Sequence, residues 1–90
     1  MKAVKAVVNG SVQGVGFRQA TRSEAGGYGL AGWVRNDGNG TVEVWLQGEE
    51  EAVNQMVDWL WHGPPGAQVW SVESETVALD QLIQSFVIRQ

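Results

Sequence analysis

The chain changes from a strand pattern to a helix pattern at Gly10-Ser11-Val12-Gln13-Gly14-Val15-Gly16-Phe17-Arg18. Gly14 and Gly16 tolerate positive φ, so the backbone N–H groups of this turn can converge on one point. The helix that follows adds its unpaired N–H groups and the positive end of its dipole. Arg18 lies in the first helical turn, where the dipole disfavours a cation, and its planar fork suits phosphate. The stretch therefore predicts an anion-binding loop, although a tight turn that binds nothing could carry the same glycines.

Two common phosphate-binding motifs are absent from this loop. No Gly-Lys-Ser/Thr follows it, as a Walker A loop requires. Gly14-Val15-Gly16 is not followed by a glycine three residues later, so the dinucleotide fingerprint is incomplete.

Two strings in the chain resemble the signatures of the acylphosphatase family. The first is Val12-Gln13-Gly14-Val15-Gly16-Phe17-Arg18. The second is Gly32-Trp33-Val34-Arg35-Asn36, followed by Asp37-Gly38-Asn39-Gly40-Thr41-Val42-Glu43-Val44. Their order and spacing also match, and the resemblance extends to Phe86-Val87-Ile88-Arg89. It implies hydrolysis of a small-molecule acyl phosphate to a carboxylate and inorganic phosphate, without a metal or a cofactor.

The resemblance also implies the site residues. Arg18 and Asn36 would be catalytic, with Arg18 binding the phosphate and Asn36 orienting the attacking water. The loop Val12, Gln13, Gly14, Val15, Gly16, Phe17 and Arg18 would hold the phosphate. Because a carboxamide does not titrate, we expect the proton of the water to pass to a phosphate oxygen of the substrate, with a rate that is flat across neutral pH. The sequence departs from the family at Ser11, where a cation is common. This predicts weaker phosphate binding or, if Ser11 points to solvent, little effect.

Composition limits the remaining possibilities. Ninety residues suffice for one small domain, which we take to span 1–90. The absence of cysteine fits a reducing cytoplasm. No apolar segment has the length of a signal-peptide core or a membrane span. We therefore expect a cytoplasmic protein that makes no membrane contact.

The charges are unevenly distributed along the sequence. A net charge of −4 argues against a nucleic-acid partner. Yet three of the six cations, Arg18, Arg22 and Arg35, fall in or near the two signature strings. Arg22 is interpreted as a solvated helix residue paired with a neighbour. Arg35 should point to the face of its strand opposite Asn36 and is not counted as catalytic.

Periodicity and turn residues predict two helices and five strands. The predicted strands are 3–9, 30–36, 41–47, 68–77 and a short one at 85–89. The predicted helices run from 17 to 28 and from the acidic run 49–51 to about His62, and Asp37-Gly38-Asn39-Gly40 predicts a hairpin. Residues 78–84 receive no assignment. The order β-α-β-β-α-β is typical of the ferredoxin-like α+β sandwich, an antiparallel sheet with two helices on one face, here with a short C-terminal strand added.

The pattern also predicts which side chains face the core. In the first helix these are Phe17, Ala20, Glu24, Ala25 and Tyr28. In the second they are Val53, Met56, Val57 and Leu60. In the third strand they are Val42, Val44 and Leu46, whereas Trp45 should pack against another exposed aromatic residue. Gly26 and Gly27 each cost about 1 kcal/mol in a helix, so the first helix should fray or end a turn early. Trp59 and Trp61 cannot both face the core, and His62 is interpreted as a surface residue.

Two other functions remain open at this point, and a third is disfavoured. The domain could be a non-catalytic anion-binding or regulatory module, which would have no use for Asn36. It could belong with the first domain of larger carbamoyl-transferring maturation proteins, although the chain ends soon after its last strand. An RNA-binding sheet would need a basic surface and a run of strand aromatics, which the sequence lacks. We expect a monomer.

Overall fold

Seven elements follow one another in a computed structural model that describes all of residues 1–90. They are β1 (Lys2–Ser11), α1 (Phe17–Gly27), β2 (Ala31–Asn36), β3 (Val42–Gly48), α2 (Glu50–Leu60), β4 (Gln68–Val77) and β5 (Phe86–Ile88). Every predicted strand and helix is present. The second helix ends at Leu60, slightly before the predicted His62. Neither helix is long or apolar enough to cross a membrane.

The five strands form one sheet in the order β4-β1-β3-β2-β5. Strand β1 pairs antiparallel with β3 and β4, and β2 pairs antiparallel with β3. This is the predicted ferredoxin-like α+β arrangement. The sheet is not wholly antiparallel, however, because β5 pairs parallel with β2. The chain reverses its direction between β4 and β5, which form the two edges of the sheet. Strand β5 therefore runs in the same direction as its neighbour β2.

Both helices cover the same face of the sheet. Helix α2 packs over β1 and β3, and α1 packs over β2 and β5. The predicted inner residues of β3, Val42, Val44 and Leu46, are fully buried beneath them. Alternation along a strand therefore assigned this face correctly.

The buried side of α1 differs from the prediction. Its buried residues are Phe17, Thr21 and Ala25, a strict i, i+4, i+8 series. Thr21 can occupy this face because its hydroxyl donates to the Phe17 carbonyl at 2.7 Å. Tyr28 is exposed. The expected early end of the helix is wrong, since Gly26 and Gly27 both remain helical and Tyr28 caps the C-terminus.

The opposite face of the sheet carries aromatic and charged side chains. Trp45 stacks on Trp33 with ring centroids 6.3 Å apart. The prediction of an exposed partner is wrong, because Trp33 is buried. The guanidinium of Arg89 lies 4.9 Å from the centre of the Trp33 ring. As predicted, Trp59 and Trp61 do not both face the core, and Trp61 is exposed.

The unassigned segment 78–84 is a connector fastened to the sheet by one side chain. The Gln47 carboxamide donates to the carbonyls of Asp80 (2.9 Å) and Ile83 (3.0 Å). Its oxygen accepts from the backbone N–H of Asp80 and the indole N–H of Trp45, each at 3.1 Å. Gln47 is thus a buried polar residue with every partner satisfied, and it guides the chain toward β5.

Replacing Gln47 with leucine should destabilise the protein by about 2 kcal/mol, because the part-buried backbone groups of the connector lose their partners. Chemical denaturation measures this change. The matched control is Gln55→Leu, on the exposed surface of α2. Equal stabilities for the two variants would contradict the anchoring role.

Candidate active site

A cavity of about 460 Å³ lies where the β1–α1 loop meets the ends of β2 and β5. Most of its lining is polar. The lining residues are Val12, Gly14, Gly16, Phe17, Arg18, Gln19, Arg22, Asn36, Ile88 and Gln90. Five of the seven predicted loop residues are among them, together with both residues predicted to be catalytic. The cavity brings together two signatures that are well separated in the sequence.

The loop has the conformation expected of an anion cradle. Gly14 and Gly16 have φ of 78° and 77°, in the left-handed region. A Cβ added at either position would meet no atom within 4 Å, so the backbone conformation and not the space requires glycine. None of the backbone N–H groups from Gln13 to Gln19 donates to a carbonyl in the turns, loops or helix cap. These donors are therefore free to bind an anion.

Gln13 fastens the loop to the β2–β3 hairpin instead of lining the cavity. Its side-chain N–H₂ group donates to the carbonyls of Asp37 and Thr41, each at 3.0 Å. The predicted hairpin closes at the same place, where Asp37 N–H donates to the Thr41 carbonyl at 2.8 Å. Because Asp37 follows Asn36 directly, this contact fixes the loop relative to Asn36. Val15, the other loop residue outside the lining, packs against the core.

Phe17 fixes the start of α1. It is 2% exposed, and its ring lies 5.9 Å from that of Trp59 near the end of α2. Gly63, in the turn after that helix, lies against the Phe17 ring. A Cβ added at Gly63 would come within 2.6 Å of that ring. Arg18, the next residue, therefore projects from a firmly packed position.

The side chains of Arg18 and Asn36 converge from a helix and a strand. Arg18 is half-buried and forms no ion pair. Asn36 is the last residue of β2 and shares the helix-covered face with Val34. Arg35 points to the opposite face, as predicted, where its Nε donates to Glu43 at 2.6 Å. The alternation of β2 thus separates a structural arginine from the cavity.

Arg22 is an exposed helix residue, as predicted, but the predicted pairing with a neighbour is wrong. It lies one helical turn beyond Arg18, lines the same cavity and forms no ion pair with a neighbour. The four-residue spacing from Arg18 was the signal for this placement, because residues i and i+4 share a helix face. The sequence also gave no reason to expect Ile88 and Gln90 in the lining. Their position depends on β5 pairing with β2.

No Asp, Glu or His side chain lines the cavity. His62 is exposed in the turn after α2, as predicted, and its ring contacts the carbonyl of Asp58. Ser11 is exposed at the end of β1, opposite Gln68 and outside the lining. The charged side chains of the cavity are consequently two arginines.

Comparison with known proteins agrees with this geometry. The family model described as acylphosphatase matches residues 4–88. An acylphosphatase of Mesorhizobium japonicum is 54% identical over 76 residues, which are 84% of this chain and 81% of that protein. An acylphosphatase of Nitrosococcus oceani is 49% identical over 86 residues, covering 96% of each.

Solved structures give the same result. The crystal structure of acylphosphatase from Bacillus subtilis superimposes with a TM-score of 0.95 at 33% identity, covering 100% of both chains. Full-length HypF in its phosphate- and nucleotide-bound form matches with a TM-score of 0.90 at 27% identity, over 99% of this chain but 12% of that one. The fold thus matches a whole acylphosphatase and a small part of a larger protein. Because the family model matches residues 4–88, which are nearly the whole chain, the chain belongs to the acylphosphatase family.

Proposed function

We propose that the cavity beside Arg18 and Asn36 hydrolyses the carboxyl–phosphate bond of small-molecule acyl phosphates, giving a carboxylate and inorganic phosphate. Family membership makes the chain a hydrolase acting on acid anhydrides that contain phosphorus. One observation carries the assignment of the site. One cavity is lined by loop residues whose amides have no backbone partner, by the unpaired Arg18 and by Asn36.

Arg18 and the loop bind the phosphoryl group in this mechanism. The guanidinium fork can donate two parallel hydrogen bonds to phosphate oxygens. The amides of the loop from Val12 to Arg18 and the N-terminus of α1 supply further donors. Phosphoryl transfer requires mainly placement and stabilisation of charge on the equatorial oxygens. These donors are preorganised for that charge by the glycine conformations and by the packing of Phe17.

Asn36 orients the attacking water. Its carboxamide can accept one hydrogen bond from the water and donate another to it. The water oxygen forms a bond to phosphorus while the bond from phosphorus to the acyl oxygen breaks. The electron pair of that bond leaves with the carboxylate. The proton of the water passes to a phosphate oxygen, because no Asp, Glu or His side chain lines the cavity to receive it.

No metal or cofactor is part of the proposed mechanism. A carboxylate is a good leaving group and needs no strong general acid. The lining has no Asp or Glu side chain with which to hold Mg²⁺, and the chain has no group of three or more His, Cys, Asp or Glu side chains placed to hold a metal ion. The arginine and the amides carry the charge stabilisation instead.

The proposal also covers the domain organisation, the oligomeric state, the cellular location and the partners of the protein. Residues 1–90 act as a single acylphosphatase-like domain that works as a monomer in the cytoplasm. The match to acylphosphatases along nearly their whole length supports the first point. The lack of cysteine supports the last. A net charge of −4 supports the absence of a nucleic-acid partner.

Arg18→Ala should lower the turnover of benzoyl phosphate by ~10³-fold or more, because the arginine stabilises the transferring group. Asn36→Ala should lower it by about 10²-fold through misplacement of the water. Release of phosphate is measured with a chelator present. Asn39→Ala, in the neighbouring hairpin, is the matched control and should keep wild-type activity.

Thermal unfolding with inorganic phosphate separates the two roles. Phosphate should protect Asn36→Ala as well as wild type and should protect Arg18→Ala little. Full activity in Asn36→Ala would overturn its role with water. A wild type that is protected by phosphate yet turns over no benzoyl phosphate would instead be an anion-binding or regulatory module.

The value of kcat should stay flat between about pH 6 and pH 8, a range centred near the ordinary histidine pKa. The reason is that the cavity lining holds no His, Asp or Glu side chain. The pH profile with benzoyl phosphate tests this directly. A steep step in that range would show that a titrating group takes the proton.

Gln13→Ala should lower kcat/KM about tenfold while the fold stays intact, because the loop loses its contact with the hairpin that follows Asn36. Steady-state kinetics measures this change. The matched control is Gln55→Ala on the outer surface of α2. A Gln13 variant with unchanged kinetics would show that the loop keeps its position without the contact.

A further inference from the structure

We propose that Arg22 makes the cavity selective for acyl phosphates whose acyl half carries a second anionic group, such as a terminal carboxylate. This inference rests on the proposed binding of the phosphoryl group by the loop and Arg18. It adds a recognition element for the other half of the substrate.

The distribution of cations is the first argument. Three of the six cations pair with carboxylates, and a fourth lies over an aromatic ring. These contacts are Lys2–Glu50, Lys5–Glu43, Arg35–Glu43 and Arg89–Trp33. Arg18 and Arg22 are the two that remain, and both line one cavity. In a chain with ten carboxylates, this arrangement leaves two guanidinium groups available to a ligand.

The spacing of the two arginines is the second argument. They are four residues apart on α1 and therefore share a face, with an axial separation of about 6 Å. The loop amides and the helix N-terminus lie on the Arg18 side, so the phosphoryl group binds there. Arg22 lies one turn farther along the helix. A four-carbon diacid chain spans about the same distance, so its distal carboxylate can reach Arg22.

The size and charge of the cavity are the third argument. About 460 Å³ is within the range of sites that enclose a whole small molecule and leaves room beyond the phosphoryl group. Two like charges one turn apart disfavour each other, and no Asp or Glu side chain in the lining offsets them. A second anionic group on the substrate would supply that balance. A neutral acyl chain would leave Arg22 without a partner.

The contact should be modest and sensitive to salt. Arg22 is exposed, and ion pairs at exposed positions are weak. Binding of the ground state, and hence KM, should change more than kcat. Selectivity should fall as ionic strength rises, because exposed charges are screened.

The test compares succinyl phosphate with butyryl phosphate, which have the same chain length and differ in a terminal carboxylate. In Arg22→Gln, kcat/KM for succinyl phosphate should fall by roughly three- to fivefold, mainly through KM, as expected for an exposed ion pair. The value for butyryl phosphate should stay near that of wild type. Arg22→Lys should retain most of the preference. Lys2→Gln removes the same charge at the far end of β1 and should change neither substrate.

Each outcome decides between the alternatives. A succinyl-to-butyryl ratio that is equal in wild type and Arg22→Gln overturns the role of Arg22 and leaves the proposed catalysis standing. An equal fall for both substrates also overturns selectivity, because Arg22 would then serve the phosphoryl group. A wild type that hydrolyses neither substrate refutes the proposed catalysis itself. Added salt should lower the wild-type ratio and leave that of Arg22→Gln unchanged.

Discussion

The packing of Phe17 joins the core of this protein to its functional cavity. Phe17 is at once the first residue of α1, a buried member of the core and the neighbour of Arg18. Its ring rests on Trp59 and against Gly63, so the end of one helix fixes the beginning of the other. A helix start usually frays. Here the burial of Phe17 fixes the first residue of α1. This also restrains the unpaired amides of the loop that precedes it.

Local patterns in the sequence were sufficient for the elements and for the two signatures. The glycine turn, the Asp-Gly hairpin and the alternation of β3 depend only on near neighbours. These patterns predicted the helix-covered face of the sheet and the placement of Arg35 away from Asn36. The family resemblance predicted that Arg18 and Asn36 would line one site. The spacing of the two residues in the sequence does not predict this by itself.

The features that escaped prediction depend on residues far apart in the chain. Gln13 reaches carbonyls 24 and 28 positions later, and Gln47 reaches carbonyls 33 and 36 positions later. A glutamine in a loop or a strand gives no local sign of such a partner. The parallel pairing of β5 with β2 brings Ile88 and Gln90 to the cavity wall, and Gln47 holds the connector that leads to β5. The place of Arg22 in the cavity lining was missed for another reason, since a solvated cation on a helix gives no sign in the sequence that it borders a cavity.

The placement of the five indoles determines what optical spectroscopy will detect in this protein. None of them lines the cavity. Trp33 and Trp45 are stacked on the opposite face of the sheet, so their near-ultraviolet dichroism reports the integrity of β2 and β3. Trp61 and Trp70 are exposed and emit as solvated indoles. The ring of Trp59 lies 5.9 Å from that of Phe17 in the loop, so Trp59 is the natural fluorophore for testing whether an anion binds at Arg18.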